Sequence, residues 1–176
     1  MTSSLKHFYQ AMSDARELFD CYDSLNSHPE LSPPSALKKA CLILTLTAWE
    51  TYVEDVVIEI FEIKFSVIKG SMVGNFAEKQ LSQRLKLFHN PNSQKTKHLF
   101  EEFFGVDVTE KWTWPNVTPK DARSQLNTWI RKRGEAVHRA EVCLNQPQVI
   151  NKADLGKCLR FFEELAKATD TALEML

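Results

Sequence analysis

Apolar residues recur at alternating spacings of three and four along nearly all of this 176-residue chain, a period that helices satisfy and strands do not. Leu5, Phe8, Met12, Ala15, Phe19 and Tyr22 form one such stripe, predicting a first helix that ends in the breaker-rich segment NSHPELSPP, 26–34. Ser32 and the prolines after it offer a start for a second helix over about 34–69, because proline fits a first turn where its missing N–H is not needed. CLILTLTAW makes this helix apolar nearly all round, which places it at the centre of a bundle. Its second half, VVIEIFEIKFSVI, is rich in β-branched residues. Trp49, Val53, Val56, Ile60, Ile63 and Val67 nonetheless keep the bundle spacing, so it reads as helix.

Gly70 and Gly74 are read as a break. A short third helix over about 76–88 presents Ala77, Leu81, Leu85 and Phe88, and after the turn HNPNS a fourth runs over 93–104 to Gly105. GVDVTEKWTWPNV has no period and reads as an ordered loop pinned by Trp112 and Trp114. Thr118, Pro119 and Asp121 make a good helix start: a hydroxyl cap, a first-turn proline, and an acid at the positive dipole end. That fifth helix is predicted to run to about residue 143. Asn151 then caps a last helix carrying Leu155, Cys158, Phe162, Leu165, Thr169 and Ala172. The expected architecture is all-α: one domain over 1–176, an up-and-down four-helix bundle with two additional short helices.

Composition excludes several classes. Five Gly and seven Pro are too few for a chain of many tight β turns, and 43% hydrophobic residues are too many for a disordered one. A net charge of −1 excludes a uniformly basic nucleic-acid coat while allowing local basic patches. The longest nearly uncharged stretch, 40–49, is too short to span a bilayer, and the first residues hold no apolar signal core. Cys21, Cys41, Cys143 and Cys158 show no zinc-ligand spacing with the histidines, so they read as reduced core thiols of a cytoplasmic protein without membrane association.

The fifth helix carries the chemistry. Its apolar stripe is read as Leu126, Trp129, Ile130, Val137, Ala140 and Leu144, and the same spacing puts Arg133 in the middle. An arginine there is costly unless it is paired, reaches solvent, or lines a cleft or subunit interface. His138 follows five residues later, about 140° round an ideal helix. Gly134 lies between them, where mid-helix glycine costs about 1 kcal/mol. Three local rules are bent within six residues, and such conflicts cluster at functional sites.

The block IRKRGEAVHRA resembles the R-x4-6-H signature of the HEPN superfamily of α-helical ribonucleases. Arg133 to His138 leaves four intervening residues and Arg131 to His138 leaves six. AWETYVEDV, WTWPNV and the order of helices look like the RiboL-PSP-HEPN branch over about residues 36–170. Two positions depart from the family pattern. Gly134 replaces the polar residue that often follows the arginine. Ala140 replaces the tyrosine modified in the subgroup paired with nucleotidyltransferase antitoxins, which argues against that mechanism here.

The resemblance implies a metal-independent, cofactor-free endoribonuclease, in the role of a toxin or a phage-defence effector, with RNA as substrate. It implies a homodimer whose composite site brings two motifs together, and an antitoxin or other regulatory protein as a possible further partner. Arg133 and His138 would be catalytic. Glu50 and Glu54, one turn apart on the central helix, would position them, with Arg131 and Glu135 in support. Lys132, Arg139, Arg84, Lys86, Lys95 and Lys97 are candidates to track an RNA backbone, four of them in a stretch, 79–98, that holds no acid. Other readings stand beside this one. Arg131, Glu135 and Arg139 at i, i+4 spacing also suit a salt-bridged surface, and His138 an exposed place on it. Trp112 and Trp114 suit base stacking or a plug at the core edge. Glu135 and His138 form Glu-x-x-His, but a di-iron bundle needs that pair twice and the chain has it once. The main rival is a non-catalytic module of the same fold that binds RNA, a nucleotide or a partner protein.

Overall fold

The computed structural model describes residues 1–28, 30, 33–138 and 150–174, with the side chain of His138 outside that set. Six α-helices account for most of them: α1 (Ser3–Asn26), α2 (Ser35–Lys64), α3 (Met72–Lys86), α4 (Ser93–Phe104), α5 (Pro119–His138) and α6 (Lys152–Leu173). No strand occurs among the described residues, where a lone antiparallel bridge joins Trp114 to Val117. The long helices α1, α2, α5 and α6 make the bundle, with α2 packed against the other three. That placement follows from an α2 sequence with no polar face: Cys41, Leu42, Thr45, Leu46, Trp49, Tyr52, Val53, Val56 and Val57 are all buried.

The apolar stripes of α1 and α6 hold as read. Leu5, Phe8, Met12, Ala15 and Tyr22 are buried on one, and Leu155, Cys158, Phe162, Leu165, Thr169 and Ala172 on the other. The far end of the second helix does not. The α-helix stops at Lys64, a 3-10 turn covers Ser66–Ile68, and Ile63 and Val67 are 60% and 93% exposed. The spacing suits a helix, but at this end Phe61 and Phe65 are the residues turned toward the core and the α3 side, and Ile63 and Val67 fall on the solvent side. Gly74 does not break the chain either. It lies in the first turn of α3, which Ser71 caps, and a Cβ there would come within 2.1 Å of the Ile68 carbonyl oxygen. Glycine is needed at that position for the close approach of backbone rather than for a turn.

Helix ends follow local chemistry. Asn92 caps α4 by accepting from Lys95 N–H, Gly105 ends it in the left-handed region, and Asn151 caps α6 by accepting from Asp154 N–H. Ser32, the expected start of the second helix, lies outside the described residues; Pro34 is the residue ahead of α2. Trp112 is buried, its indole N–H donating to Thr169 Oγ1 at 2.9 Å, and Trp114 packs edge-on against Phe161. The loop tryptophans therefore plug the core edge. Cys41 and Cys158 are buried thiols, Cys21 is exposed rather than in the core, and Cys143 lies outside the described residues.

The start of α1 is tied to α2 by Glu59, which accepts from Ser3 N–H and Ser4 N–H at 2.9 Å and from Ser4 Oγ at 2.6 Å. Burial pushes this carboxyl up, but the Ser4 hydroxyl and the two backbone donors outweigh it and bring it down to about 2. A depressed acid stabilises the fold above its unfolded value and loses that contribution as pH falls toward the folded one. Glu59→Gln is therefore expected to cost about 1 kcal/mol near neutral pH, after allowance for solvent screening. Its deficit against the parent protein should shrink between about pH 4.5 and 2. Urea titrations across that range check it; a constant deficit would refute the assignment.

Candidate active site

Arg133 sits where the periodicity put it, on the stripe Ala122, Leu126, Trp129 and Ala136, all four buried. That stripe passes through Ala136 instead of Val137, which is 55% exposed; Ala140 and Leu144 lie outside the described residues. The correction is one residue of helical phase. A 4-3-4-3 repeat from Ala122 reaches Ala136, whereas counting on from Ile130, which is only half-buried, drifts off the face.

The arginine is paired across the bundle. Its Nη1 donates to Glu50 Oε2 on α2 at 2.8 Å and to Asn90 Oδ1 at 3.0 Å, and the two charged side chains are 19% and 16% exposed. Asn90 belongs to the turn between α3 and α4, and its own N–H donates to the second Glu50 oxygen, Oε1, at 3.0 Å. His89 Nδ1 stands 3.7 Å from that same oxygen. One carboxylate thus gathers an arginine from α5 with an asparagine and an imidazole from a single turn.

The turn is held from both sides. Trp49 Nε1 donates to Pro91 O at 3.1 Å from α2, and Asn127 Oδ1 accepts from Ser93 N–H at 3.0 Å from α5. Asn90 has φ of 52°, a left-handed conformation that asparagine tolerates better than most residues. This turn is what the sequence reading missed. HNPNS announced a bend, and only its anchors show that the bend ends at Arg133.

The remaining candidates fall into distinct places. Glu54, one turn from Glu50, lines a cleft of about 480 Å³ between α2 and α3 with Ile58, Phe61, Leu81 and Leu85. Burial pushes its carboxyl up, Glu50 and Asp55 add to this, and His89 opposes it. Lys86 lines the same cleft. Arg131 and Glu135 pair on the outer face of α5 at 2.9 Å. Lys132 bonds Asp154 of α6 at 3.2 Å and lies over the Trp129 ring. Arg84 pairs with Glu102, and Lys97 with Asp107 and Glu101, so acids from outside the acid-free stretch offset part of its charge. Lys95 donates through Nζ to the His89 carbonyl, beside the site. Arg139 lies outside the described residues.

Helix α5 runs unbroken through Gly134 to His138, so no local distortion accompanies the glycine. A Cβ at Gly134 would meet nothing within 4 Å, which leaves open space on the helix surface beside Arg133. The described part of α5 reaches the backbone of His138; that residue's side chain, and the expected run of the helix to about 143, lie outside the described residues. No group of three or more potential metal ligands occurs among the described residues, and no helix among them is long and apolar enough to cross a membrane.

The fold is thus an all-α bundle whose motif arginine is held at the junction of the central helix, the motif helix and a pinned turn. The model of the RiboL-PSP-HEPN family matches residues 12–175, and the chain belongs to that family. Membership marks it as a ribonuclease-like or nucleotide-binding module. No curated protein and no solved structure matches it.

Proposed function

We propose that this protein is a metal-independent endoribonuclease in which Arg133 and His138 are the catalytic residues. The observation that carries the reading is the placement of Arg133, the motif arginine, on Glu50 and Asn90 beside the open surface at Gly134. RNA brings its own nucleophile, the 2′-OH next to the scissile phosphate. Its attack builds negative charge on the phosphorus oxygens. A guanidinium stays charged at any working pH and grips such oxygens in a fork. Histidine suits the proton transfers, since its unperturbed pKa of about 6.5 lets it give or take a proton near neutrality. A two-fold dimer that faces two motif helices across one cleft belongs to this proposal, as does a role as toxin or defence effector held in check by a regulatory protein.

The test is the chemistry of the product ends. Attack by the 2′-OH must leave a 2′,3′-cyclic phosphate and a 5′-OH. A chelator should leave the rate unchanged, and a 2′-deoxy residue at the cleavage position should block the reaction. Magnesium dependence or 5′-phosphate ends would refute the mechanism, and a sedimentation profile showing only monomer at micromolar concentration would remove the composite site. The ion pair of Arg133 with Glu50 also favours a second reading, in which the arginine is a clamp in a non-catalytic binding module. Clean protein that binds RNA and never cuts it would establish that alternative.

A further inference from the structure

Phosphodiester cleavage by the 2′-OH needs two proton transfers, one from the 2′-oxygen and one to the departing 5′-oxygen. Each motif helix offers one imidazole, and in the proposed dimer the copy on the partner subunit is one candidate for the other transfer. A second stands beside the arginine in the same chain. His89 is 72% exposed, so its ring is open to a ligand, while its Nδ1 side is turned to Glu50 Oε1 at 3.7 Å. The opposite oxygen of that carboxylate receives Arg133. The backbone around the ring is fixed on every side: Asn90 N–H on Glu50, Lys95 Nζ on the His89 carbonyl, and Trp49 on Pro91. At 3.7 Å the carboxylate is a charge neighbour of the ring and not its hydrogen-bond partner, so it is the clamped turn that places this exposed imidazole beside the arginine's own partner, Glu50.

We propose that His89 is a catalytic residue of this site, the general acid that protonates the 5′-oxygen leaving group. The assignment rests on the ribonuclease reading and extends it to a residue outside the R-x4-6-H block. In the step, His138 takes the 2′-OH proton as the 2′-oxygen bonds to phosphorus, and Arg133 faces the charged phosphorane. As the bond from phosphorus to the 5′-oxygen breaks, the protonated His89 gives that oxygen its proton. The products are the 2′,3′-cyclic phosphate and the 5′-OH, and water returns both rings to their starting states. The charged groups that bear on His89 include Glu50 and Glu54 from α2, Arg133 from α5 through its pair with Glu50, and Lys95 from α4 at the His89 carbonyl. Glu50 offsets the charge of the protonated ring. Each protomer then holds its own acid next to its own arginine, and a two-fold dimer repeats the set.

The experiment compares two RNAs of one sequence, an ordinary substrate and one with sulfur in place of the bridging 5′-oxygen at the cleavage position. The thiolate leaves without a proton. His89→Ala should lose roughly 10²–10⁴-fold on ordinary RNA and less than about 10-fold on the sulfur substrate. His138→Ala should lose heavily on both. The alkaline fall of the wild-type pH–rate profile, where the acid loses its proton, should vanish in His89→Ala. The exposed side chain makes a folding defect unexpected; thermal unfolding and RNA affinity check this, and His89→Gln serves as a second variant. Full activity of both variants on ordinary RNA would overturn the role while leaving the ribonuclease reading intact. Equal losses on the two substrates would overturn the acid assignment. Activity restored by mixing Arg133→Ala with His89→Ala protein would overturn the placement within one chain. A wild-type protein that cuts no RNA would remove both the role and the reading beneath it.

Discussion

His138→Ala is expected to lower RNA cleavage roughly 10²–10⁴-fold, the usual size of a general acid–base contribution. The loss should appear in single-turnover rates at saturating protein, with RNA affinity nearly unchanged, because a proton-transfer group acts on the transition state more than on the bound ground state. On α5 His138 lies five residues beyond Arg133, about 140° round an ideal helix. An exposed histidine with no part in the reaction would show no such split between rate and affinity. Full cleavage by His138→Ala would end the mechanism, since His138 is the base that takes the 2′-OH proton in it.

Arg133→Ala is expected to show two separable losses. The first is at least about 10²-fold in cleavage, on the order of 3 kcal/mol of phosphorane stabilisation. The second is about 1–3 kcal/mol of folding stability, because Glu50, only 16% exposed, would keep its charge without its partner. The double variant Glu50→Ala/Arg133→Ala separates them: stability should recover in part, since no unpaired charge is left, and activity should not. If Arg133 were only a clamp between α2 and α5, stability and activity would recover together, and the catalytic role would be lost. Arg131→Ala should cost less than Arg133→Ala, with an effect that shrinks as salt rises, because its exposed guanidinium can act only as a screened charge near the RNA backbone.

Much of the fold could be read from local order. Caps such as Asn92 and Asn151, the stop at Gly105 and the stripes of α1 and α6 depend on residues within a turn or two of each other, and the sequence displays such neighbours directly. Where the reading slipped, the deciding partner was remote. Ile63 and Val67 continue the bundle spacing and are exposed, because packing turned Phe61 and Phe65 inward at that end. Val137 and Ala136 are adjacent candidates for one stripe, and packing against the bundle chose Ala136.

The same division runs through the site. A charged arginine on an apolar stripe had to be paired, reach solvent, or line a cleft or subunit interface, and the site was legible as far as that choice. Which carboxylate answers it was not: Glu50 and Glu54 are equivalent by spacing, and only the rotation of α2 against α5 brings Glu50 to 2.8 Å while turning Glu54 into the cleft beside α3. His89 and Asn90 carried no periodic signal at all. They reach the arginine because the turn is pinned by Trp49 from one helix and Asn127 from another, contacts that span 42 and 34 residues. The sequence by itself determined that the chain is helical, which faces of α1 and α6 are buried, and that an arginine interrupts the stripe of α5, since these follow from spacing along one chain. The tertiary structure alone decided which carboxylate, which turn and which imidazole meet it, because those contacts depend on how separate helices rotate and pack.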